Sequence, residues 1–243
     1  MTALLIDIGN SHARVIRADV KAGALREPVA GLLTEATPRD DEAARTFAEA
    51  VAGHGTTDAI AGVTSVVPAV TRALREALPA VRTVDHTWAF PFGYAVETPE
   101  TVGADRWCNV TAAVAAGHRD AIVIDAGTAT TIDVLVDGVF LGGLIAPGMA
   151  FAARKLQEEG ARLWPVPFER TELRPGRHTA EALAIGAYHV GVHGVVGTVE
   201  ALADGMPGVP IIATGGLAHH LARPRWQVDE LWTLRGLAYL LTA

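Results

Sequence analysis

Two similar strand-and-turn segments limit the fold of this chain more than any other feature of its sequence. Residues 122–131 begin as a short, β-branched apolar run, which predicts a strand buried on both faces. The run ends at Asp125 and Gly127. The hydroxyls that follow belong to Thr128, Thr130 and Thr131. Such a turn suits a phosphate that carries a metal ion, because backbone N–H groups and hydroxyls donate to its oxygens and the acid holds the cation. The alternative is a tight hairpin whose Asp and Thr side chains satisfy only their own backbone.

The start of the chain repeats this pattern. Residues 4–11 are again an apolar strand that ends in Asp7, one spacer, Gly9 and a small polar pair. About half of the chain separates Asp7 from Asp125, so a duplicated unit is predicted. Two such turns that face each other would form a cleft, and the repetition therefore favours phosphate binding over two unrelated structural turns.

Composition narrows the class of protein. The 243 residues fit one large or two small domains, and half of them are apolar, enough for a full core. A net charge of −7 argues against a nucleic-acid surface. The single cysteine, Cys108, permits no intrachain disulfide, which fits a reducing cytoplasm. We find no signal peptide and expect no membrane span or metal-binding histidine cluster. A cytoplasmic protein is therefore expected.

The order of the predicted elements is that of an α/β fold. The first half reads as strand, strand, strand, helix, strand and helix, followed by a helix that begins at 102–106. In the second half, Asp137-Gly138 predicts a hairpin turn. The remaining predicted elements are strands at 132–136, 139–146 and 210–213, helices from 148 to 159, 179 to 203 and 233 to 241, an irregular loop at 162–177 and a helix opened by 214–217.

The beginning of the helix near residue 105 is unusual. Asp105 and Arg106 both lie in its first turn, where the helix dipole favours an acid and disfavours a cation. An aspartate there is often only a helix-start residue. An arginine beside it, directly after Gly103 has cleared space, is harder to explain without a ligand.

Five segments together resemble the type III pantothenate kinases. They are Asp7–Ser11, Gly103–Arg106, Asp125–Thr131, Gly142–Gly148 and Thr214–Ala218, in the order and spacing of that family. The resemblance implies the actin and sugar kinase superfamily fold, with two ribonuclease H-like domains, 1–117 and 118–243, around an ATP cleft. It implies phosphorylation of pantothenate to 4'-phosphopantothenate, the first step of coenzyme A biosynthesis, with ATP, Mg²⁺ and a monovalent cation, K⁺ or NH₄⁺.

The resemblance also assigns site residues by position. It implies that the general base is Asp105, that the monovalent cation binds Asp125, and that Thr128 contacts ATP. The implied phosphate loop consists of Asp7, Ile8, Gly9, Asn10, Ser11, His12, Ala13 and Arg14. The implied pantothenate contacts are Gly103, Ala104, Asp105 and Arg106, with Thr179 added at a dimer interface.

The chain departs from the family pattern at two positions. Ser11 replaces the commoner threonine and keeps the hydroxyl. Val96 stands nine residues before the base, where many members have tyrosine. Tyr94, two residues earlier and on the same strand face, is a candidate to replace that ring.

The helix predicted at 179–203 is apolar around most of its circumference and carries four glycines. A helix that is apolar all round is expected to be buried all round, which predicts a homodimer in which a second chain covers it. The alternative is a helix enclosed by its own domain.

Two other functions stay open: a kinase for another small hydroxylated substrate, and a noncatalytic regulator on the same fold. The regulator would be expected to lose the base or a phosphate turn.

Overall fold

The structure is a computed structural model that describes residues 1–54, 60–160 and 163–242, without the side chains of 27–29. It contains two compact units. One comprises residues 1–119, 135–142 and 231–243, and the other comprises residues 120–134 and 143–230. By compactness, two later segments therefore group with the N-terminal residues, and the division into domains 1–117 and 118–243 stays a prediction.

The element order agrees closely with the α/β prediction. The strands are β1 Thr2–Ile8, β2 His12–Lys21, β3 Ala24–Ala36, β4 Ile60–Ser65, β5 Arg82–Thr83, β6 Gly93–Tyr94, β7 Ala121–Ala126, β8 Ala129–Val136, β9 Val139–Pro147, β10 Ile211–Thr214 and β11 Trp226–Val228. The helices are α1 Asp41–Gly53, α2 Pro68–Ala77, α3 Ala104–Ala115, α4 Met149–Glu159, α5 Thr179–Ala203 and α6 Trp232–Thr242.

The first unit is built on a five-stranded sheet with the order β3-β2-β1-β4-β5. Strand β1 is antiparallel to β2 and parallel to β4. Because side chains alternate along a strand, Leu4 and Ile6 on β1 and Val63 on β4 point to one face, where they form a core with α1 and α2. Helices α3 and α6 pack together and cover the opposite face, where Leu241 of α6 reaches Gly62.

The second sheet has the order β11-β10-β7-β8-β9-β6. Strands β1 to β5 and strands β7 to β11 follow the same order in their sheets. In each group the first strand lies between the second and the fourth, the third lies beyond the second, and the fifth lies beyond the fourth. Strands β7 and β10 are parallel, as β1 and β4 are. The predicted duplication is thus confirmed. Asp7 and Asp125 occupy the same place in their strands, one residue before the end.

The core of the second unit lies under one face of helix α5. The buried residues of that face are Ile185, Tyr188, Val192, Val196 and Val199. Elsewhere α5 is exposed or half-buried, with Val190 at 75 % exposure and open space above Gly186, Gly194 and Gly197. The unit therefore does not enclose this helix. By length and composition α5 also meets the requirements of a membrane span, which was not expected, and a core helix can pass the same test.

Four details differ from the sequence-based expectations or fall outside the description. Residues 214–217 do not open an α-helix, because only a short 3-10 helix follows at Ala218–Leu221. The three-residue strand β11 was not predicted. Thr130 and Thr131 lie inside β8 and not in the turn. The fourth predicted strand of the first half begins at Ala59, and the predicted loop at 162–177 begins at Arg162; both of these residues lie outside the described residues.

Candidate functional site

The turn between β1 and β2 contains the predicted phosphate loop, Asp7–Arg14. The backbone N–H of Gly9 donates a hydrogen bond to the carbonyl of His12 over 3.0 Å, which closes the turn. Buried Thr37 fixes the turn from outside. Its hydroxyl donates to the Gly9 carbonyl over 2.7 Å, and its N–H donates to the Ser11 carbonyl over 2.9 Å. This role of Thr37 was missed, because its sequence neighbours indicated only the start of a helix.

Two charged residues flank this turn. Asp7 and Arg14 lie directly opposite each other on antiparallel β1 and β2, so both side chains point to the same face of the sheet. Both are half-buried, whereas Asn10 and His12 at the tip are exposed. The turn thus exposes backbone and polar groups to solvent next to the Asp7 carboxylate and the Arg14 guanidinium.

The predicted acceptor segment, Gly103–Arg106, forms the beginning of α3. The Asp105 carboxylate folds back over the first turn and accepts a hydrogen bond from the backbone N–H of Arg106 over 2.8 Å. A β-carbon on Gly103 would overlap the Asp105 Oδ1 atom, so glycine is required for this conformation. The expectation that Gly103 clears space is confirmed, and the group it admits is the carboxylate.

The surroundings of Asp105 make it a stronger base than an ordinary aspartate. Burial raises the pKa of its carboxyl, and the hydrogen bond and positive charge of Arg106 oppose this effect only in part. A raised pKa means a greater affinity of the carboxylate for a proton, which suits a group that must accept one.

Aromatic rings support the acceptor segment. The Arg106 guanidinium lies 5.6 Å from the centre of the buried Phe140 ring. Trp107, the next residue, is fully buried, and its ring lies 5.6 Å from Phe140 and 5.2 Å from Tyr94. Tyr94 is 45 % exposed. The structure therefore places the Tyr94 ring next to the acceptor helix, and its replacement of the tyrosine missing at Val96 stays a prediction.

The buried thiol of Cys108 is affected by the charges of both Asp7 in the phosphate loop and Asp105, the predicted base. Cys108 lies one helical turn after Asp105 and is fully buried. Burial raises the pKa of the Cys108 thiol, and the charges of Asp7 and Asp105 raise it further. Asp7 lies on the sheet face that α3 covers, and α3 carries both Asp105 and Cys108, so the phosphate loop and the predicted base lie on the same side of the first sheet.

In the second unit, Asp125 ends its strand beside another glycine turn. Asp125 pairs with Thr214 on parallel β10, and the next residue, Gly215, has a φ of +87°. A β-carbon there would overlap Asp125 Oδ1 and stand 2.8 Å from the Ala126 carbonyl oxygen. The Leu217 N–H donates to that oxygen over 3.0 Å. The Gly215 turn thus rests directly on Asp125.

A third glycine turn closes over the Thr128 side of this segment. The Gly148 N–H at the start of α4 donates to the Thr128 carbonyl over 2.9 Å, and a β-carbon on Gly148 would overlap the carbonyls of Gly127 and Thr128. Three backbone turns therefore pack without intervening side chains. Such bare backbone can bring N–H groups close to phosphate oxygens. This role of Gly148 was not predicted.

Of the three hydroxyls predicted in the second turn, only that of Thr128 lies in the turn itself. Thr128 is half-buried in the turn, but Thr130 is fully buried in β8. Thr130 and Thr131 belong to the strand and not to the turn, because β-branched residues here continue β8. Asp133, further along β8, is 1 % exposed and not a surface residue.

Thr179 belongs to the second unit and is the first residue of α5. It is exposed, and the His178 side chain caps the helix by accepting from the Glu181 N–H over 3.3 Å. Glu181 also bonds the Arg177 N–H and the Arg174 guanidinium. Thr179 is therefore held at a fixed helix end with its side chain accessible.

Comparison with known proteins agrees with these features. The family model described as type III pantothenate kinase matches residues 3–204. A type III pantothenate kinase of Chlorobaculum parvum is 31 % identical, with 98 % of this chain and 93 % of that protein covered. The one of Thermomicrobium roseum is 37 % identical over 66 % of this chain and 64 % of that protein.

Structural comparison shows the fold alone. A glucokinase of the ROK family from Streptomyces griseus, solved with glucose and AMPPNP, has a TM-score of 0.57 at 12 % identity, and 99 % of this chain and 98 % of that one are covered. Membership of a kinase family implies the use of ATP with a divalent metal ion. The chain belongs to the type III pantothenate kinase family, and it is a kinase that phosphorylates pantothenate in coenzyme A biosynthesis.

Proposed function

We propose that Asp105 is the general base of this reaction and that the segment Gly103–Arg106 binds pantothenate. The observation that carries the proposal is the fold of that segment: Gly103 leaves room for the carboxylate, which is partly buried and has a raised pKa. Arg106, whose planar guanidinium suits a carboxylate better than an ammonium does, pairs with the acid group of pantothenate.

The base acts on the primary hydroxyl of pantothenate. Its O–H bond breaks, the proton moves to the Asp105 carboxylate, and the hydroxyl oxygen forms the new bond to the γ-phosphorus while the bond to the β-phosphate oxygen breaks. Phosphoryl transfer needs positioning and charge stabilisation more than covalent help, so one carboxylate within hydrogen-bond reach suffices. A general base contributes about 10² to 10⁴-fold to such a step.

We assign the phosphates of ATP to two turns. The Asp7–Arg14 turn provides backbone groups, the Ser11 hydroxyl and the Arg14 charge, and the turn at Thr128 provides a second set of backbone groups. The bare backbone at Gly127, Gly148 and Gly215 supports this assignment, because each of these glycines sits where a β-carbon would be in contact with neighbouring backbone.

Two cations complete the proposal. Among the described residues, no group of three or more His, Cys, Asp or Glu could hold a metal ion alone. Mg²⁺ commonly binds through one or two carboxylates together with substrate phosphates and water. The single carboxylates Asp7 and Asp125 at the two turns, together with the phosphates of ATP, therefore fit Mg²⁺. We place K⁺ or NH₄⁺ at Asp125, whose half-buried carboxylate supplies oxygen. Bound cations supply positive charge beside the transferring phosphoryl group.

The test is the turnover of Asp105→Asn in a coupled assay with ATP and pantothenate. The substitution removes the base without changing the volume, so we expect loss of most activity in a folded protein. Near-normal turnover by the folded variant contradicts the assignment. Replacing K⁺ by a bulky organic cation in the same assay is expected to lower the rate of the wild type. Equal rates with the two cations would contradict the assignment of a monovalent cation to Asp125.

We further propose that the enzyme is a homodimer of cytoplasmic chains, joined through α5, with Thr179 of one chain beside the acceptor site of the other. The exposed small residues of α5 support this, because an apolar helix face without cover favours a partner and small residues permit close approach. Thr179 lies at the exposed end of the same helix.

Complementation tests the composite site. Asp105→Asn and Thr179→Arg chains are each expected to be inactive. Mixed dimers should regain part of the activity, since one of their two sites combines a wild-type Asp105 with a wild-type Thr179. A monomer at micromolar concentration, or mixed chains that exchange and stay inactive, would disprove the proposal.

A further inference from the structure

The first unit contains a buried hydroxyl next to the phosphate loop that the reaction described above does not use. Thr64 on β4 is fully buried, and its hydroxyl makes no hydrogen bond of normal geometry within the part of the chain that the structure describes. A buried hydroxyl without a partner destabilises the folded protein, because it has lost its hydrogen bonds to water. Such a group is expected to serve a bound state.

The strand register shows which group this hydroxyl faces. Thr64 is the direct neighbour of Asp7 on parallel β1 and β4, so the two side chains leave the same face of the sheet side by side. That face is the one covered by α3. The Thr64 hydroxyl also lies beside the Cys108 thiol, whose pKa it lowers against the larger effect of burial.

The chemistry of these groups shows which of them the Thr64 hydroxyl can donate to. The buried thiol of Cys108 keeps its proton, because burial and the charges of Asp7 and Asp105 disfavour the thiolate. The neutral thiol is only a weak acceptor, so the proton of the Thr64 hydroxyl is available for a stronger acceptor, and Asp7 is the carboxylate next to it.

The second unit repeats the pair. Asp125 on β7 is the direct neighbour of Thr214 on parallel β10, and Thr214 is 1 % exposed. In both units a threonine on the fourth strand of the sheet therefore stands beside the aspartate of the first strand. A duplicated fold that keeps the same pair at both phosphate turns indicates a shared use of the pair.

We propose that Thr64 is a positioning residue for Asp7, whose carboxylate it orients through a hydrogen bond when Mg²⁺ and ATP bind at the first turn. The inference rests on the proposed assignment of that turn to the phosphates of ATP. Thr64 does not touch the substrate and acts through Asp7.

The decisive variant is Thr64→Val, which keeps the side-chain volume and removes the hydroxyl. A hydrogen bond to a charged group contributes about 1.5 to 3 kcal/mol, which corresponds to a loss of about tenfold or more in kcat/KM for ATP. The KM for pantothenate should stay within about twofold of wild type. The melting temperature should be equal or higher, since removing a buried hydroxyl without a partner relieves a cost in the free protein.

Two further variants separate positioning from packing. Thr64→Ser keeps the hydroxyl and should recover most of kcat/KM for ATP, whereas Thr64→Ala should not. Thr111→Val is the matched control: this threonine on α3 is equally buried, but its hydroxyl donates to the Trp107 carbonyl over 2.7 Å. The control should lose stability and keep its kinetic constants.

Wild-type kinetics of Thr64→Val overturn the inference, and so does equal impairment of the Val and Ser variants with a lowered melting temperature. If Thr64→Val does not fold, the comparison of Ala with Ser decides. The variant Asp7→Asn distinguishes the proposed role of the first turn from the proposed role of Thr64. An active Asp7→Asn removes the assigned role of the turn, whereas an inactive Asp7→Asn beside a fully active Thr64→Val removes only the role of Thr64.

Discussion

Replacing Gly215 by alanine should damage the site at Asp125 in a way that the structure allows us to estimate. Gly215 has a φ of +87°, a conformation that costs an L-residue roughly 1 to 2 kcal/mol. The new β-carbon would also stand 2.8 Å from the carbonyl oxygen and 2.9 Å from the carbonyl carbon of Ala126. Both are backbone atoms of a central strand that cannot move away easily, so overpacking adds about 1 to 3 kcal/mol. The total loss in the free energy of unfolding is about 2 to 5 kcal/mol.

A matched control isolates the steric part of this effect. Gly208 in the same unit also has a positive φ, +75°, but a β-carbon there would meet nothing within 4 Å. Gly208→Ala should therefore lose only the conformational contribution. At about 2 to 4 °C per kcal/mol for a chain of this size, thermal unfolding can resolve the difference between the two variants.

The coupled kinase assay gives the functional side of the same test. The β-carbon of Gly215→Ala would overlap the Asp125 carboxylate. We therefore expect a lower kcat and a higher requirement for the monovalent cation, while Gly208→Ala keeps both. Equal losses of stability in the two variants, or wild-type kcat and cation dependence in Gly215→Ala, would refute the reasoning.

Two further predictions concern the first unit. Burial raises the pKa of Asp105 above 3.8, so the folded state holds this proton more tightly than the unfolded state does, and stability falls as pH rises through the interval from 3.8 to the raised value. Asp105→Asn should thus melt at a higher temperature than wild type at pH 7, by a margin that shrinks towards pH 3.8, and a lower melting temperature at pH 7 would contradict this. Gly236→Ala should destabilise α6 by about 1 to 3 kcal/mol in denaturant titration, because its β-carbon would overlap the Cys108 carbonyl, whereas Gly53→Ala has open space and should not.

The elements and the shared sheet order were predictable because their signals are local. Alternating apolar residues, Pro68 at a helix start and Asp137-Gly138 at a hairpin each decide the structure of a few neighbouring residues. The repeated Asp–Gly turns then gave the duplication, since the same local pattern at two places implies the same unit.

What could not be predicted depends on contacts between residues far apart in the sequence. Strand β11 has only three residues and exists because β10 pairs with it. Thr37 holds the first turn from 28 residues away, and Gly148 packs on Gly127 from another element. Threonines after a strand fit a turn and a strand equally well, so Thr130 and Thr131 were placed wrongly. The unusual arginine at the start of α3, by contrast, was visible in the sequence, whereas the role of Asp105 as the base was implied by the family resemblance and stays a prediction.

The composition of the first unit has a consequence for the order in which the protein is made. Its sheet is covered on one face by α6, whose residues are translated only after all of the second unit. Until then, the surface of Gly62 and its neighbours lacks the side chains that cover it. During synthesis, the second unit can complete its own core while the first waits for its last helix. One face of the nascent N-terminal sheet is thus expected to be prone to aggregation until α6 has been made.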